Sequence, residues 1–414
     1  MLQFTLPNGI RCIAEKLPHL HSISMGVWVN VGSANESESE NGLSHFIEHL
    51  VFKGTSHRSA KQIAEEMDDI GASLNAYTGK NCTCYYVRAL EEHLEQSIEL
   101  LWDLVYNPLF DETEMNKERG VVLEEISMSN DTPDDLVVNL AAEAIYQGSL
   151  SKPILGTYSN ISNYTRDDII QYWKKHYTPQ NMVISIVGNF DEEQLRAIIN
   201  KYFTNCPNTD RNIELCGNVL RLQNKALDKV IEQSHIILSY PAFEIGNSKE
   251  YAANIACNIL GGGMSSRIFQ KIREELGLAY SVYSYISSYK EVGTLQIYAG
   301  TNPKTCTQII AAIQEEIQKF MHNGITEKEF LASKAQLKAS LEFGLESSSS
   351  RMSRLGRGML LRGEVKPIET ILTEIANTTM ENVHAVIQEC FVNKASIAIV
   401  GPNATQHLEQ IHNV

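Results

Sequence analysis

The sequence predicts an α+β protein made of two homologous, duplicated domains. Its 414 residues are enough for two or more domains of roughly 100 to 200 residues each. The strand pattern at Met182–Gly188 recurs at 395–401, so that Gly188 and Gly401 are 213 positions apart. At an offset of 209, residues 43–54 align with residues 252–263. We therefore expect a first domain over 1–210, a linker over 211–228 and a second domain over 229–414.

The strands and helices follow from two periodicities. Alternation and β-branched clusters indicate strands, whereas apolar residues that recur every three or four positions indicate helices. In the first half, strands are expected near 10–14, 22–31, 83–89 and 182–188, and helices near 43–54, 60–70, 92–105, 111–129 and 191–203. Asp111 and Glu114 have the spacing of a capping box. Gly120 costs its helix about 0.5 to 1 kcal/mol relative to Ala, which predicts a close neighbour there.

Composition limits the class of protein. With 43% hydrophobic and 21% charged residues, the chain fits a soluble globular protein. A net charge of -15 argues against nucleic-acid binding, for which a basic surface is expected, and leaves room for basic substrates.

Neither an apolar run of about 18 residues nor a signal peptide is found, so we expect a cytoplasmic protein without a membrane partner. The eight scattered cysteines predict reduced thiols.

One short stretch has the features of a metal-binding helix. His45, Glu48 and His49 stand at i, i+3 and i+4, so their side chains project from one sector of a helical turn. A different sector is apolar and suited to burial. It consists of Leu43, Phe46, Ile47, Leu50 and Val51.

The residue types in this stretch suit zinc. Two neutral imidazoles are good Zn²⁺ donors, and a catalytic zinc needs three protein ligands and a position for water. The third ligand must come from elsewhere. Glu118 and Glu125 are seven residues apart and face the same way on the next long helix, so they are candidates for that ligand and its support. The string H-x-x-E-H is only moderately specific, and a solvated helix face is the alternative.

The second half lacks this set of side chains. The positions that align with His45 and its two partners are Asn254, Cys257 and Asn258. Two amides and one thiol would make a poor zinc site. We therefore expect the second copy to have kept the fold and lost the metal.

Taken together, these patterns resemble the M16 inverzincin peptidases of the pitrilysin/insulysin family, especially the branch of the mitochondrial processing peptidases. In that family the third zinc ligand is a glutamate 76 or 77 residues after the second histidine. Glu125 follows His49 by 76 residues, and Glu118 precedes it by seven. The resemblance implies one Zn²⁺ per chain held by His45, His49 and Glu125, with Glu48 as general base and Glu118 orienting a ligand. It also implies domains in which an antiparallel-rich mixed sheet packs against helices.

The resemblance extends to substrate binding. Asn75, Ala76 and Tyr77 match the edge at which family members pair an extended substrate by strand addition. Arg273 and Tyr280 match an Arg/Tyr pair that reaches the catalytic centre from the opposing half of the chamber. From the residues alone, Arg273 would be a solvated helix residue and Tyr280 a partly buried one.

The function implied is that of a zinc-dependent endopeptidase that cleaves extended peptides or precursor segments inside a chamber. Family chambers contain four related domains, so a chain with two implies a homodimer whose active site is completed in trans. The glycine-rich segment of the non-catalytic processing-peptidase subunit is reduced to residues 261–263, which leaves precursor selection open. The alternative is a non-catalytic core or scaffold subunit, as some relatives are. Its expected mark is the loss of a ligand or of Glu48, and neither is lost.

Overall fold

A computed structural model of the chain describes residues 1–204, 206 and 217–412. The strands are β1 (Leu2–Thr5), β2 (Arg11–Lys16), β3 (Ser22–Val29), β4 (Ser73–Thr78), β5 (Thr83–Leu90), β6 (Tyr146–Gln147), β7 (Met182–Gly188), β8 (Val219–Leu220), β9 (Lys225–Asp228), β10 (Ser234–Ala242), β11 (Ala279–Ser288), β12 (Gly293–Thr301) and β13 (Ser396–Gly401). The α-helices are α1 (Leu43–Val51), α2 (Ala60–Asp69), α3 (Leu94–Tyr106), α4 (Glu112–Asp131), α5 (Pro133–Ile145), α6 (Tyr158–Asn163), α7 (Arg166–His176), α8 (Glu192–Phe203), α9 (Glu250–Gly261), α10 (Cys306–Asn323), α11 (Glu327–Gly344), α12 (Ser348–Leu361), α13 (Ile368–Asn377), α14 (Met380–Phe391) and α15 (Ala404–His412). A π-helical stretch covers Phe269–Glu275.

The chain forms two compact units that exchange segments. The first contains Met1–Ile126, Pro153–Cys216 and Glu342–Lys366, and the second contains Ser127–Lys152, Gly217–Leu341 and Pro367–Val414. Helix α5 thus belongs to the second unit and helix α12 to the first. The boundaries expected from the sequence do not include this exchange, because an amphipathic pattern shows that a helix buries one face but not which sheet it covers.

The segment expected to be a linker, residues 211–228, contains secondary structure in its described part. Residues 211–216 lie outside the described residues. Strand β9, at Lys225–Asp228, pairs in parallel with β13, so the linker expectation is wrong at its end. The physical reason is that β9 lies at a sheet edge with a largely solvated face, and only a partly buried Ala226 packs against the core. Its composition is therefore that of a loop.

The first unit is built on a six-stranded sheet in the order β1-β2-β7-β3-β5-β4. Only β2 and β7 pair in parallel, and the other pairs are antiparallel. Helix α12 packs on β3 and β7. There Gly356 allows a close approach, because a Cβ at this position would lie 2.0 Å from the indole nitrogen of the fully buried Trp28. Strand β4 lies at one edge of the sheet.

The second unit has a five-stranded sheet in the order β11-β12-β10-β13-β9, with only β13 and β9 in parallel. Helix α9 packs on β11 and α14, while α5 packs on β10 and β13. Each unit is therefore a mixed, mainly antiparallel sheet with helices against it, as the sequence and the resemblance predicted. Helix α1 follows the inner strand β3, and α9 follows the inner strand β10.

Three smaller expectations can be compared with the described residues. Cys12, Cys82, Cys84, Cys206, Cys257, Cys306 and Cys390 are buried free thiols, as expected. In the described part of the chain, no helix combines the length and the apolar character needed to cross a membrane. The close neighbour expected at Gly120 is absent, because a Cβ there would meet no described heavy atom within 4 Å.

Candidate metal centre

The helix that carries the two histidines is fixed at its start. Its N-cap, Gly42, has a φ of 99°, and a Cβ there would lie 2.7 Å from the Cα of Gly156. The buried carboxylate of Glu36 accepts hydrogen bonds from the backbone N–H groups of Gly42 and Ser44, each at 2.8 Å. A carboxylate at a helix N-terminus satisfies free N–H groups and complements the helix dipole. Glu36 thus caps α1 from outside the helix.

The apolar sector of α1 is buried as predicted, and its polar sector faces helix α4. The buried side chains are Leu43, Phe46, Ile47, Leu50 and Val51. On the other side, the imidazole rings of His45 and His49 have centroids 4.7 Å apart. Oε2 of Glu125 on α4 lies 3.6 Å from Nε2 of His45 and 3.5 Å from Nε2 of His49. The two histidines of one motif and a glutamate from a different helix therefore converge.

The spacing of these donor atoms fits a zinc ion. Ligand atoms of all three residues lie within 4.8 Å of one another. Two donors at about 2.1 Å from one tetrahedral Zn²⁺ are roughly 3.4 Å apart, close to the distances from Glu125 to the two imidazoles. Among the described residues, this is the only group of three or more His, Cys, Asp or Glu side chains with such spacing. His45, His49 and Glu125 could therefore hold one metal ion and leave a position for water.

Electrostatics favour the ligand form of His45. Burial, followed by the charge of His49, lowers the pKa of His45 to about 4. Its imidazole is therefore neutral near pH 7 and has a lone pair available for a metal. Metal binding requires this form of the ring.

A carboxylate and an ammonium group support His49. Oε2 of the buried Glu118 lies 3.1 Å from Nδ1 of His49, and Nζ of Lys53 lies 2.7 Å from Oε1 of Glu118. A carboxylate at Nδ1 favours the tautomer whose proton is on that nitrogen, which leaves Nε2 to bind a metal. The sequence indicated Glu118 but missed Lys53. The available signal was its place four residues after His49, on the same side of a helical turn.

Glu48 is held by a residue that the sequence analysis also missed. The hydroxyl of Thr78, on β4, donates to Oε2 of Glu48 at 2.5 Å. Burial raises the pKa of Glu48, and the hydrogen bond from Thr78 opposes that effect. A carboxylate whose pKa is raised in this way is a better proton acceptor once it is ionised.

Asn75, Ala76 and Tyr77 lie on β4, at the edge of the sheet. Among the described strands, β4 pairs only with β5. The N–H of Ala76 donates to Oδ1 of its neighbour Asn75 at 2.7 Å. The side chain of Tyr77 is partly exposed, with its ring centroid 6.1 Å from that of Trp28. These residues thus lie on an open strand edge, and their role in substrate binding stays a prediction.

Arg273 and Tyr280 contact each other in the second unit. Nη1 of Arg273 donates to the carbonyl oxygen of Tyr280 at 2.9 Å, and the guanidinium lies 4.5 Å from the centre of the tyrosine ring. Tyr280 is 77% exposed, so the partly buried tyrosine expected from the residues alone is wrong. Tyr280 is thus open to a ligand, whereas Arg273 is half-buried, and the catalytic role of the pair stays a prediction.

The sequence matches two family descriptions in tandem. Residues 11–158 match "Insulinase (Peptidase family M16)", and residues 163–337 match "Peptidase M16 inactive domain". The first match contains all three candidate metal ligands. The second contains the positions of Asn254, Cys257 and Asn258.

Similar proteins cover almost the whole chain. The uncharacterized zinc protease YmxG of Bacillus subtilis (strain 168) is 40% identical over 402 residues, which are 97% of this chain and 98% of that protein. An uncharacterized zinc protease of Streptomyces coelicolor is 34% identical over 423 residues, with 99% and 91% covered. Both are named as zinc proteases.

Solved structures share the fold. A protease from Helicobacter pylori superposes with a TM-score of 0.89 at 23% identity, with 96% of this chain and 98% of that chain covered. A protein from Pseudomonas fluorescens described as a peptidase M16 inactive domain also has a TM-score of 0.89, at 19% identity and with 97% of each chain covered.

Proposed function

The chain belongs to the M16 family of peptidases, and from this membership we propose that it is a zinc-dependent endopeptidase that cleaves extended peptides or precursor segments. The observation that carries the proposal is the convergence of His45, His49 and Glu125 on one point, with Glu48 on the same helical face. The names of the relatives support zinc as the metal. A single site per chain agrees with the loss of the corresponding residues in the second half.

The chemistry divides between the metal and Glu48. His45, His49 and Glu125 would hold the zinc ion, which when bound would lower the pKa of water and polarise a carbonyl group. Glu48 takes the proton of the attacking water and passes it to the nitrogen of the departing amine. Glu118 and Lys53 hold His49 in the orientation that keeps Nε2 toward Glu125. The chain's own residues thus supply the base and a fixed ligand geometry.

We propose that the substrate is an extended peptide that adds to the open edge of β4. Backbone groups of Asn75 and Ala76 would pair with it, and Tyr77 would contact one of its side chains. Strand addition takes its affinity from main-chain hydrogen bonds, so it accepts many sequences. The acidic balance of the chain favours basic peptides over nucleic acid. The proposal thus includes an extended, basic peptide as the substrate and a cytoplasmic location for the enzyme.

We also propose that the enzyme is a homodimer in which the partner's Arg273 and the partner's Tyr280 act at the metal centre. Both groups can donate hydrogen bonds to a substrate carbonyl or to the negative charge that develops on it. The support is that the described residues of one chain contain one candidate set of metal ligands and that the chain has two domains, whereas chambers of this family have four domains.

A mixing experiment tests the dimer. The variants Glu48→Gln and Arg273→Ala are each expected to cleave poorly. In a mixed dimer built in trans, one of the two sites would contain both wild-type residues, so mixing should restore activity. Mixed protein that stays as inactive as its components, or a wild-type monomer with full activity, would contradict this arrangement.

Mapping of cleavage sites tests the proposed function itself. Wild-type protein with zinc is incubated with a mixed peptide library, and the new termini are identified by mass spectrometry. Glu48→Gln is the control, because it should retain zinc and lose about 10²- to 10⁴-fold in rate. Wild-type protein that binds zinc and cleaves nothing would favour a scaffold role. A basic bias near the cleaved bond would support precursor segments as substrates.

A further inference from the structure

Thr78 joins the edge strand of the first sheet to the proposed general base. It is the last residue of β4, and its hydroxyl lies 2.5 Å from Oε2 of Glu48 and 3.5 Å from the carbonyl oxygen of Ser44. The short distance to Glu48 is typical of a strong O–H···O⁻ hydrogen bond to a carboxylate. The hydroxyl therefore donates to Glu48, and one carboxylate oxygen is occupied.

We propose that Thr78 is a positioning residue, which fixes one carboxylate oxygen of Glu48 so that the other is presented to the attacking water. This inference rests on the proposed function. It assigns a role to the strand hydroxyl that goes beyond the metal ligands and the base.

The side chain of Glu48 has several rotatable bonds, so its carboxylate needs a neighbour to fix it. A glutamate side chain loses much rotamer entropy when it is fixed, so an unsupported carboxylate would sample many orientations. A general base must lie about 2.6 to 3.2 Å from the proton that it takes. Threonine is β-branched and stiff at χ1, so the strand backbone sets the direction of its hydroxyl. A hydrogen bond from Thr78 thus transfers the rigidity of β4 to Glu48.

The position of Thr78 along β4 adds a second consequence. Asn75, Ala76 and Tyr77 directly precede it on the same strand. If a peptide pairs with this edge, its backbone and the carboxylate of Glu48 are both located by β4. The scissile bond and the base then share one rigid element, which is the condition for a preorganised site.

The second unit contains a corresponding contact with a different partner. Cys257 aligns with Glu48 at the offset of 209, and Ser284 on the edge strand β11 donates to the carbonyl oxygen of Cys257 at 2.7 Å. The thiol of Cys257 is also 3.3 Å from the hydroxyl of Ser284. The fold therefore brings an edge-strand hydroxyl to this helical position in both units. Only in the first unit is the partner side chain a carboxylate, so Ser284 provides a matched control.

The experiment compares Thr78→Val, Thr78→Ser and Ser284→Ala with the wild type. Steady-state kinetics are measured on one peptide cleaved by the wild type, and zinc affinity is measured by competition with a chromophoric chelator. We expect Thr78→Val to lower kcat about 10- to 100-fold, the range known for outer groups that orient the ligands of a metal site, with KM and zinc affinity unchanged. Thr78→Ser should restore kcat, and Ser284→Ala should leave it unchanged.

The possible failures are distinguishable. An unchanged kcat in Thr78→Val, with a wild type that cleaves peptides, would overturn the role of Thr78 alone. A parallel loss of zinc affinity in Thr78→Val, or an equal loss of kcat in Ser284→Ala, would show a general structural role and also overturn it. A wild type that binds zinc but cleaves no peptide would overturn the proposed function together with this inference.

Discussion

Helices α1 and α9 follow corresponding strands in two sheets of the same kind, but their polar residues differ in chemistry. On α1, the buried Nδ1 of His45 has no hydrogen-bond partner among the described residues, and burial raises the pKa of Glu48. On α9, burial raises the pKa of Cys257 to about 11, so its thiol is neutral. Asn254 donates to the carbonyl oxygen of Glu250 within its own helix.

The fold therefore does not need the candidate metal-binding residues. The second unit forms the same kind of sheet and helix packing with small neutral side chains at these positions. A buried histidine nitrogen without a partner costs free energy, and a site that retains one is typical of function rather than of stability. The comparison therefore separates residues that build the unit from residues that serve a site.

Loss of a candidate ligand should change zinc binding more than any other substitution. His45→Ala removes one of three ligands, so we expect zinc to fall from one ion per chain to a trace. Cleavage should then fall by at least about 10³-fold, because a metal ion supplies several kcal/mol to such reactions. Asn254→Ala is the matched change in the second unit and should alter neither. Elemental analysis after dialysis and a peptide cleavage assay provide the measurements. Equal zinc contents in the two variants would remove the distinction between the units.

The next effect concerns the residue that supports His49. Glu118→Gln should weaken zinc binding about 10- to 100-fold, the range for carboxylates that orient a metal-bound histidine. Glu114→Gln is the control on the same helix, because Glu114 is paired with the exposed Lys117 at 2.6 Å and such pairs contribute little. Chelator competition measures both affinities. If the two variants bind zinc equally, Glu118 belongs with the residues that build the unit.

Much of the difference between α1 and α9 could be predicted from the sequence. The i, i+3, i+4 pattern of α1 was sufficient to predict the candidate metal-binding face, and the duplicated strands were sufficient to predict two related domains. The choice of Glu125 over Glu124 came from the family spacing. Helical phase alone would not have selected Glu125, because the phase shows which face of a helix a residue lies on but not which residues of another helix it meets.

The remaining features depend on contacts that local patterns do not encode. Thr78 and Glu36 reach α1 from a strand edge and from a preceding loop, and neither position has a periodic signal. The exchange of α5 and α12 between the units was missed because both helices are simply amphipathic. Tertiary packing decided all of these cases.

A third prediction compares two arginines that align at the same offset of 209. Arg58, in the first unit, contacts Glu66, Glu99 and the fully buried Asp103, whereas Arg267, in the second, is paired with Glu329. Arg58→Met leaves the buried carboxylate of Asp103 without its guanidinium partner, so we expect a loss of about 3 kcal/mol in the free energy of unfolding. Arg267→Met should cost about 1 kcal/mol, because Glu329 is partly exposed. Urea unfolding measures both, and equal losses would show that the units use this arginine alike.

The smallest effect is a pH dependence confined to the second unit. Burial raises the pKa of Glu329, but hydrogen bonds from Arg267 and Thr326 outweigh this and bring it to about 2, below its ordinary 4.5. A carboxyl group whose pKa is lowered by folding stabilises the folded state above the unfolded pKa, and that stability is lost as the pH falls toward the folded pKa. Glu329→Gln should therefore lower the free energy of unfolding by about 1 kcal/mol at pH 7. This difference in unfolding free energy between the variant and the wild type should shrink between pH 4.5 and pH 2. Urea unfolding across this range measures the difference. A cost that stays constant down to pH 2 would mean that the side chain stabilises the unit through packing and not through its charge.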